Sequence, residues 1–137
     1  MDPTAAIASA LFEHLKAFGQ SRNLRVSRAN RSFTAKDGET YLRESFIPNT
    51  ADRRFIGSDD PHRYLGLYQI DVITTSGSGE QTARTLAGEI AAHFAVDQRL
   101  MADGITTRIT RRADVGPMMV EDARAMIPLT LEWECFA

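Results

Sequence analysis

Apolar side chains recur at three- and four-residue spacings in two parts of the chain. In the first part they are Ile7, Ala10, Leu11, Leu15 and Phe18, and in the second Ala83, Leu86, Ala87, Ile90 and Phe94. This spacing places each set on one face of an α-helix. The sequence therefore predicts an amphipathic helix over residues 3–18 and a second that ends near Ala95.

The ends of both helices carry recognisable signals. Asp2 can accept hydrogen bonds from the first free amides of the first helix, and Pro3 suits its first turn. Gly19 is predicted to adopt the left-handed conformation that stops this helix. In the run Ser76-Gly77-Ser78-Gly79, the sequence predicts Ser78 as the N-cap of the second helix.

Alternation of apolar and polar residues predicts strands in the remaining chain. The expected strands cover 24–27, 41–47, 64–75, 105–110 and 127–135, with turns at 29–31 and 36–38 and a strand end at Pro48-Asn49. Strands grouped around two helices, without regular strand-helix alternation, indicate the α+β class. We expect one domain over residues 1–137, with an antiparallel or mixed sheet of four to five strands and both helices on one face.

The last two predicted strands have complementary outer faces. If they pair in antiparallel orientation, Arg108 faces the side that carries Glu132 and Glu134. Pro128 removes one hydrogen-bond donor from the ladder, so the last strand is expected to lie at an edge or to be bulged near its start.

Two long connections are the candidate contact surfaces. Residues 50–63 are rich in charge, with a short strand expected at Phe55-Ile56, and form the candidate mobile arm. Residues 113–123 hold two methionines, which either form a contact surface or fill the sheet edge. The candidate interface residues are Arg53, Arg54, Asp59, Asp60, His62, Arg111, Arg112, Met118 and Met119.

Composition and charge narrow the class of protein. Hydrophobic residues make up 43% of the chain and charged residues 25%, which is typical of a folded globular domain. A formal net charge of −2 argues against generic nucleic-acid binding. The single Cys135 cannot form an internal disulfide, and no run approaches the ~20 apolar residues of a membrane span. A cytoplasmic site of synthesis is expected, with neither export nor membrane insertion.

Catalytic and metal-binding patterns are weak. His14, His62 and His93 lack the local spacing of a zinc or protease motif. The glycine-serine run before the second helix lacks the Gly-Lys-Ser/Thr ending of a phosphate-binding loop. We therefore expect no catalytic residue, no metal, no cofactor and no enzymatic activity.

Taken along its whole length, the sequence resembles the small tail-terminator and minor-tail proteins of siphophage and prophage tail modules. The resemblance lies in the segments AAIASALFEHL, YLRESFIPN, YLGLYQIDVITTSGSGEQTARTLAGEIAAHF and MIPLTLEWECF. The central segment carries most of it: a glycine-aromatic strand start, a small-residue turn and a helix ending in Ala-His-Phe.

The resemblance implies a structural subunit that forms a ring of six copies on the completed tail tube. Such a ring ends tube polymerisation and offers a surface for joining the head. The implied partners are copies of itself, the tail tube protein and head-tail connector proteins, with DNA only passing through the lumen and no membrane. Its implied location is the virion tail, after the host cytoplasm. The alternatives are a neighbouring head-tail connector or completion protein, a small ligand-binding α+β domain and a DNA-binding accessory protein.

Overall fold

The computed structural model of the protein describes residues 2–29 and 31–137. Over these residues the chain forms two α-helices and eight β-strands. In chain order they are α1 (Thr4–Ser21), β1 (Val26–Ser27), β2 (Tyr41–Arg53), β3 (His62–Thr75), α2 (Gln81–His93), β4 (Arg99–Ala102), β5 (Ile105–Ile109), β6 (Asp114–Val115), β7 (Met119–Glu121) and β8 (Arg124–Phe136). The α+β class is confirmed. Asn30, at the centre of one predicted turn, lies outside the described residues.

The strands form one mixed sheet in the order β1-β2-β3-β8-β5-β4, and β6 and β7 also pair with β8. β1 runs parallel to β2, while the other pairings are antiparallel. The predicted count of four to five strands is wrong, since eight lie within the described part of the chain. The additional strands β4, β6 and β7 have four residues or fewer, and segments so short show no readable alternation.

α1 follows the predicted stripe, but it ends differently. The carboxylate of Asp2 accepts a hydrogen bond from the Thr4 amide at 2.8 Å, as expected of a residue at the helix start. Gly19 does not stop the helix, which continues to Ser21. A Cβ at position 19 would lie 2.8 Å from the carbonyl oxygen of Leu24, so this glycine permits a close approach of the returning chain.

The N-cap of α2 lies two residues later than predicted. Glu80 is the residue at the cap, without a side-chain capping bond, and the Ser78 hydroxyl instead donates to the carbonyl oxygen of Thr75 at 2.6 Å. Gly77 and Gly79 have φ angles of 86° and 91°. The glycine-serine run is therefore a left-handed turn that closes on β3, rather than a helix start.

The two prolines that were expected to limit strands lie inside them. β2 continues through Pro48 to Arg53, because a bulge between Pro48 and Thr50 accommodates the residue without a donor. β8 is an interior strand, and its ladder with β3 runs without a bulge, so the predicted edge position or bulge at Pro128 is wrong. The carbonyl of Pro128 accepts from the Gly116 amide at 2.8 Å, so its nitrogen faces the gap between β6 and β7, where no ladder donor is needed.

The core lies between the helices and one face of the sheet. Residues that are directly opposite one another on β3 and β8 point into it and are fully buried. These pairs are Tyr68 with Leu131, Ile70 with Leu129, and Val72 with Ile127. The apolar stripes of α1 and α2 belong to the same cluster. Both helices cover this face, so the opposite, outer face of the sheet carries the ion pairs between charged side chains.

A buried carboxylate interrupts this apolar face. Glu44 of β2 accepts hydrogen bonds from the Tyr68 hydroxyl and from Nε of Arg28, the latter at 3.0 Å. The Arg28 guanidinium also lies 3.7 Å from the ring centre of Phe12 on α1. Burial and the nearby Glu44 charge raise the pKa of Tyr68, so its hydroxyl remains a donor. The cluster ties β2 and β3 to α1 by specific polar contacts.

α1 and α2 meet through two stacked histidines. The ring centres of His14 and His93 lie 3.8 Å apart, with 12° between their planes. Nε2 of each ring lies 2.7 Å from the backbone carbonyl oxygen of the other residue. Because a carbonyl oxygen only accepts, each Nε2 must carry a proton. The pair therefore fixes both the separation and the rotation of the two helices.

Acidification should weaken this helix contact. Desolvation is the largest cause that lowers the pKa of His14 from its ordinary value of 6.5. The unfolded chain therefore binds the second imidazole proton of His14 more readily than the folded chain does. The contribution of this contact to the free energy of unfolding is present above about pH 6.5 and is lost as the pH falls below it. We expect the melting temperature to be lower at about pH 5.5 than at about pH 7.5 in circular dichroism melts. His14→Phe keeps an aromatic ring without this proton site, and an unchanged pH dependence in the variant would contradict the assignment.

Candidate subunit interface

β2 and β3 form a hairpin arm whose far end reaches beyond the helix-covered core. Arg53 pairs with His62 at the last position of the ladder, and residues 49–51 and 53–61 are exposed. The predicted connection over 50–63 is therefore too long, since only residues 54–61 form the loop. Phe55-Ile56 is part of that loop rather than a short strand.

The loop at the end of the arm is held by its own polar groups. The Arg53 guanidinium donates to the carbonyl oxygens of Phe55 at 3.2 Å and Ile56 at 2.5 Å. The Gly57 amide donates to the Asp60 carboxylate at 2.9 Å. Arg53 and Asp60 thus shape the turn, while Arg54 and Asp59 extend from it as exposed charges.

The end of β8 supports the base of the loop. His62 and Ala137 exchange two backbone hydrogen bonds, at 2.8 and 3.0 Å. The ring of Phe136 lies 6.1 Å from that of Phe55, centre to centre. The arm is therefore three strands wide near its tip, which stiffens it.

The tip presents apolar surface from residues that are not among the predicted interface residues. Ile56 is 95% exposed, and Phe55 and Phe136 are each 47% exposed. Single exposed apolar residues are common, but three neighbouring ones at the end of a projecting arm are typical of a contact surface. In the sequence, this apolar tip is marked only by an adjacent Phe-Ile pair inside an otherwise charged segment.

The second predicted group, in residues 111–119, lies apart from the arm. Arg111 contacts Asp114 at 2.8 Å and Glu132 at 3.6 Å, and Arg112 is exposed. The two methionines take different positions. Met118 packs against the core, whereas Met119 pairs with Met126 and is 45% exposed.

The outer face of the sheet carries a network of ion pairs. Arg108 lies directly opposite Glu134 and contacts it at 3.0 Å, which confirms the predicted cross-strand pairing. Arg108 also contacts Asp97 at 2.6 Å, and Arg63 approaches Glu134 at 3.6 Å. Glu134 is buried, so two guanidinium groups compensate one carboxylate.

A cleft of about 520 Å³ opens on the outer face at the end of the sheet opposite the arm. Its apolar lining comes from paired positions on four strands. These residues are Tyr41, Ile73, Met126 and Met119. The charged residues around it are Arg43, Arg124, Glu121 and Asp122. Of the predicted candidates, Met119 alone lines this cleft, whereas Arg53, Arg54, Asp59, Asp60 and His62 belong to the arm.

Of the residues considered for catalysis, His14 and His93 stack on each other between the helices, His62 lies at the base of the arm loop, and Cys135 is buried. Burial raises the pKa of the Cys135 thiol and keeps it in the unreactive form. Among residues 2–29 and 31–137, no group of three or more His, Cys, Asp and Glu side chains is placed to hold a metal ion. Neither helix of this described region is long and apolar enough to cross a membrane.

Comparison with known proteins identifies the family. The family model described as "Phage tail terminator protein" matches residues 6–133. The chain belongs to the phage tail terminator family. This family consists of structural proteins of the phage tail rather than enzymes. No protein with a curated description matches the sequence.

Two solved structures share the terminator fold over nearly the whole chain. One is 26% identical, aligns over 94% of this chain and 92% of its own, and has a TM-score of 0.78. The other belongs to the virion of a native gene transfer agent particle. It is 18% identical, covers 98% of this chain and 97% of its own, and has a TM-score of 0.67. At 18% identity, the comparison with the gene transfer agent chain shows a shared fold alone.

Proposed function

We propose that this terminator assembles as a closed ring, six copies in the resembled family, on the finished tail tube. The ring ends tube polymerisation and presents the surface to which the head is joined. Its partners are further copies of itself, the tail tube protein and the head-tail connector proteins, with DNA passing through the lumen. The chain acts as a single α+β domain in the virion tail, after synthesis in the host cytoplasm.

The observation that carries this proposal is the stiff arm with an apolar tip. A ring requires two different patches on each copy, because its contacts are heterologous and its rotation closes. The arm and the cleft, at opposite ends of one sheet, are two such patches. The likeness to a chain from a gene transfer agent virion supports assembly into a particle with other components.

Removal of the gene tests the role directly. We expect a lysate from a phage or prophage without this gene to contain headless tails of abnormal, uncontrolled length. Electron microscopy of tail length and head attachment, with the gene supplied on a plasmid as the control, makes the measurement. Tails of normal length without heads would assign the chain to a neighbouring connector instead. Normal tails joined to heads would overturn the proposal.

A further inference from the structure

The tip of the arm has the form of an apolar knob. Phe55 and Ile56 are adjacent, and Ile56 is almost completely exposed. The hydrogen bonds from Arg53 to both of their carbonyl oxygens fix the backbone beneath them. The knob is therefore shaped before any partner arrives, which lowers the entropy cost of binding.

The cleft has the properties that such a knob requires. Ile73 is buried in its wall, and Tyr41, Met119 and Met126 extend the apolar lining. Its volume of about 520 Å³ lies within the roughly 300–1,000 Å³ of clefts that take up small molecules. Methionine side chains adapt readily to the shape of an inserted group. The cleft can therefore accept a small apolar projection.

Knob and cleft cannot meet within one chain. The knob follows the end of the ladder at Arg53 and His62, whereas Ile73 of the cleft lies eleven positions farther along β3, since 73 − 62 = 11. At about 3.3 Å per residue this separates the two sites by roughly 36 Å. We infer that the Phe55-Ile56 knob of one copy docks in the cleft of the next copy, so that the ring is joined head to tail. This inference rests on the proposed ring.

Charge complementarity favours a second copy as the occupant. The tip exposes Arg54 together with the acidic Asp59. The cleft is bordered by the acidic Glu121 and Asp122 and by the basic Arg43 and Arg124. The two arginines at the cleft are already held, one by a carboxylate at 3.0 Å and the other by backbone carbonyls, so the two acidic side chains are the charges left for a partner. Arg54 of the tip is half exposed and can meet them, which sets the orientation of the contact.

The contact is small, and this determines when the ring forms. An inserted aromatic ring buries on the order of 150–250 Å². The two apolar side chains of the knob together therefore bury at most a few hundred Å². A standard stable interface buries about 800 Å² on each partner. We therefore expect the free protein to remain monomeric and the contacts to form once the tube end holds several copies side by side.

Thiol cross-linking in assembled tails tests this contact. Ile56→Cys and Met119→Cys are introduced together in one chain and separately in two others, and each gene complements the deletion phage. Purified tails are treated with a short bismaleimide and separated on a denaturing gel. Wild-type protein is the control, because its Cys135 is buried. Circular dichroism melts of the purified variants check that each folds.

The pattern of products distinguishes a head-to-tail contact from others. The double variant should give a ladder up to the complete ring, each single variant no more than wild type, and a mixture of the two single variants dimers only. A normal tail that contains the double variant without a ladder would overturn this contact and leave the proposed function standing. Self-linking of the Ile56→Cys variant alone would show a tip-to-tip contact instead. Absence of the chain from purified tails would overturn both proposals.

Discussion

Gly66→Ala is expected to destabilise the protein by about 3 kcal/mol or more, because an added Cβ would make closer contacts here than at the other glycines. Gly66 of β3 lies directly opposite Trp133 of β8. A Cβ at this position would collide with the carbonyl oxygen of Ile47 and would lie 2.6 Å from Cζ2 of Trp133 and 2.9 Å from Cα of Pro48. Two of these three atoms belong to the backbone of β2, so a rotamer change of the indole cannot relieve the strain.

The indole itself has little freedom to move. Trp133 is buried, stacks on Phe46 with ring centres 5.4 Å apart, and donates from Nε1 to the carbonyl oxygen of Leu67 at 3.1 Å. Trp133 is also the only tryptophan in the sequence, so its fluorescence in a urea titration reports unfolding directly.

Gly88→Ala is the matched control for this substitution. Gly88 lies in α2, and a Cβ there meets nothing within 4 Å. Alanine should stabilise the helix by about 0.5–1 kcal/mol, because glycine is the poorer helix former. Equal stability of the Gly66→Ala variant and wild type would show that β2 and Trp133 can move away from β3 at this point, which would contradict the close contacts around Gly66.

Ile56→Asp should abolish control of tail length while leaving the fold intact. The side chain is almost fully exposed, so the free subunit loses no packing. In the ring, the change removes the burial of an isoleucine, about 2–3 kcal/mol per contact, and places a charge in an apolar cleft. Each contact should weaken at least roughly 30- to 150-fold. Complementation of the deletion phage, scored by electron microscopy of tail length and by infectious titre, measures the effect.

Val96→Asp provides the comparison for the arm variant. Val96 is also β-branched and exposed, but it lies in the connection between α2 and β4, away from the arm and the cleft. Because Val96 is only half exposed, its variant should have a melting temperature no higher than that of the arm variant, yet only the arm variant should fail to complement. Full complementation by Ile56→Asp would exclude the tip from the ring contact without removing the proposed role in tail termination.

Local patterns in the sequence were sufficient for the elements that repeat over many residues. The stripe from Ile7 to Phe18 predicted α1, and the alternation around Tyr68 predicted the inward face of β3. The outward charges of β5 and β8 also predicted the contact between Arg108 and Glu134. In each case one face of an element meets the core, so burial selects a period that can be read without the fold.

Local patterns predicted only part of the candidate interface surface. The charged composition of residues 50–63 predicts the arm. Phe and Ile have high β-propensity, so the sequence favours a short strand where the structure has the apolar tip. The adjacent Met118 and Met119 look equivalent in sequence. Only the pairing of β7 with β8 turns one toward the core and leaves the other beside the cleft.

The sequence by itself determined the two helices, the longer strands, the α+β class and the resemblance to tail terminators. The tertiary structure decided the full strand count of the described region, the interior position of β8, and the separation of arm from cleft. β4, β6 and β7 are too short to form alone and exist because longer strands supply their partners. Pro48 and Pro128 remain within strands because a bulge and a gap in the neighbouring ladder remove the need for their missing donors. Such features depend on residues distant in the chain, and a local pattern carries no record of them.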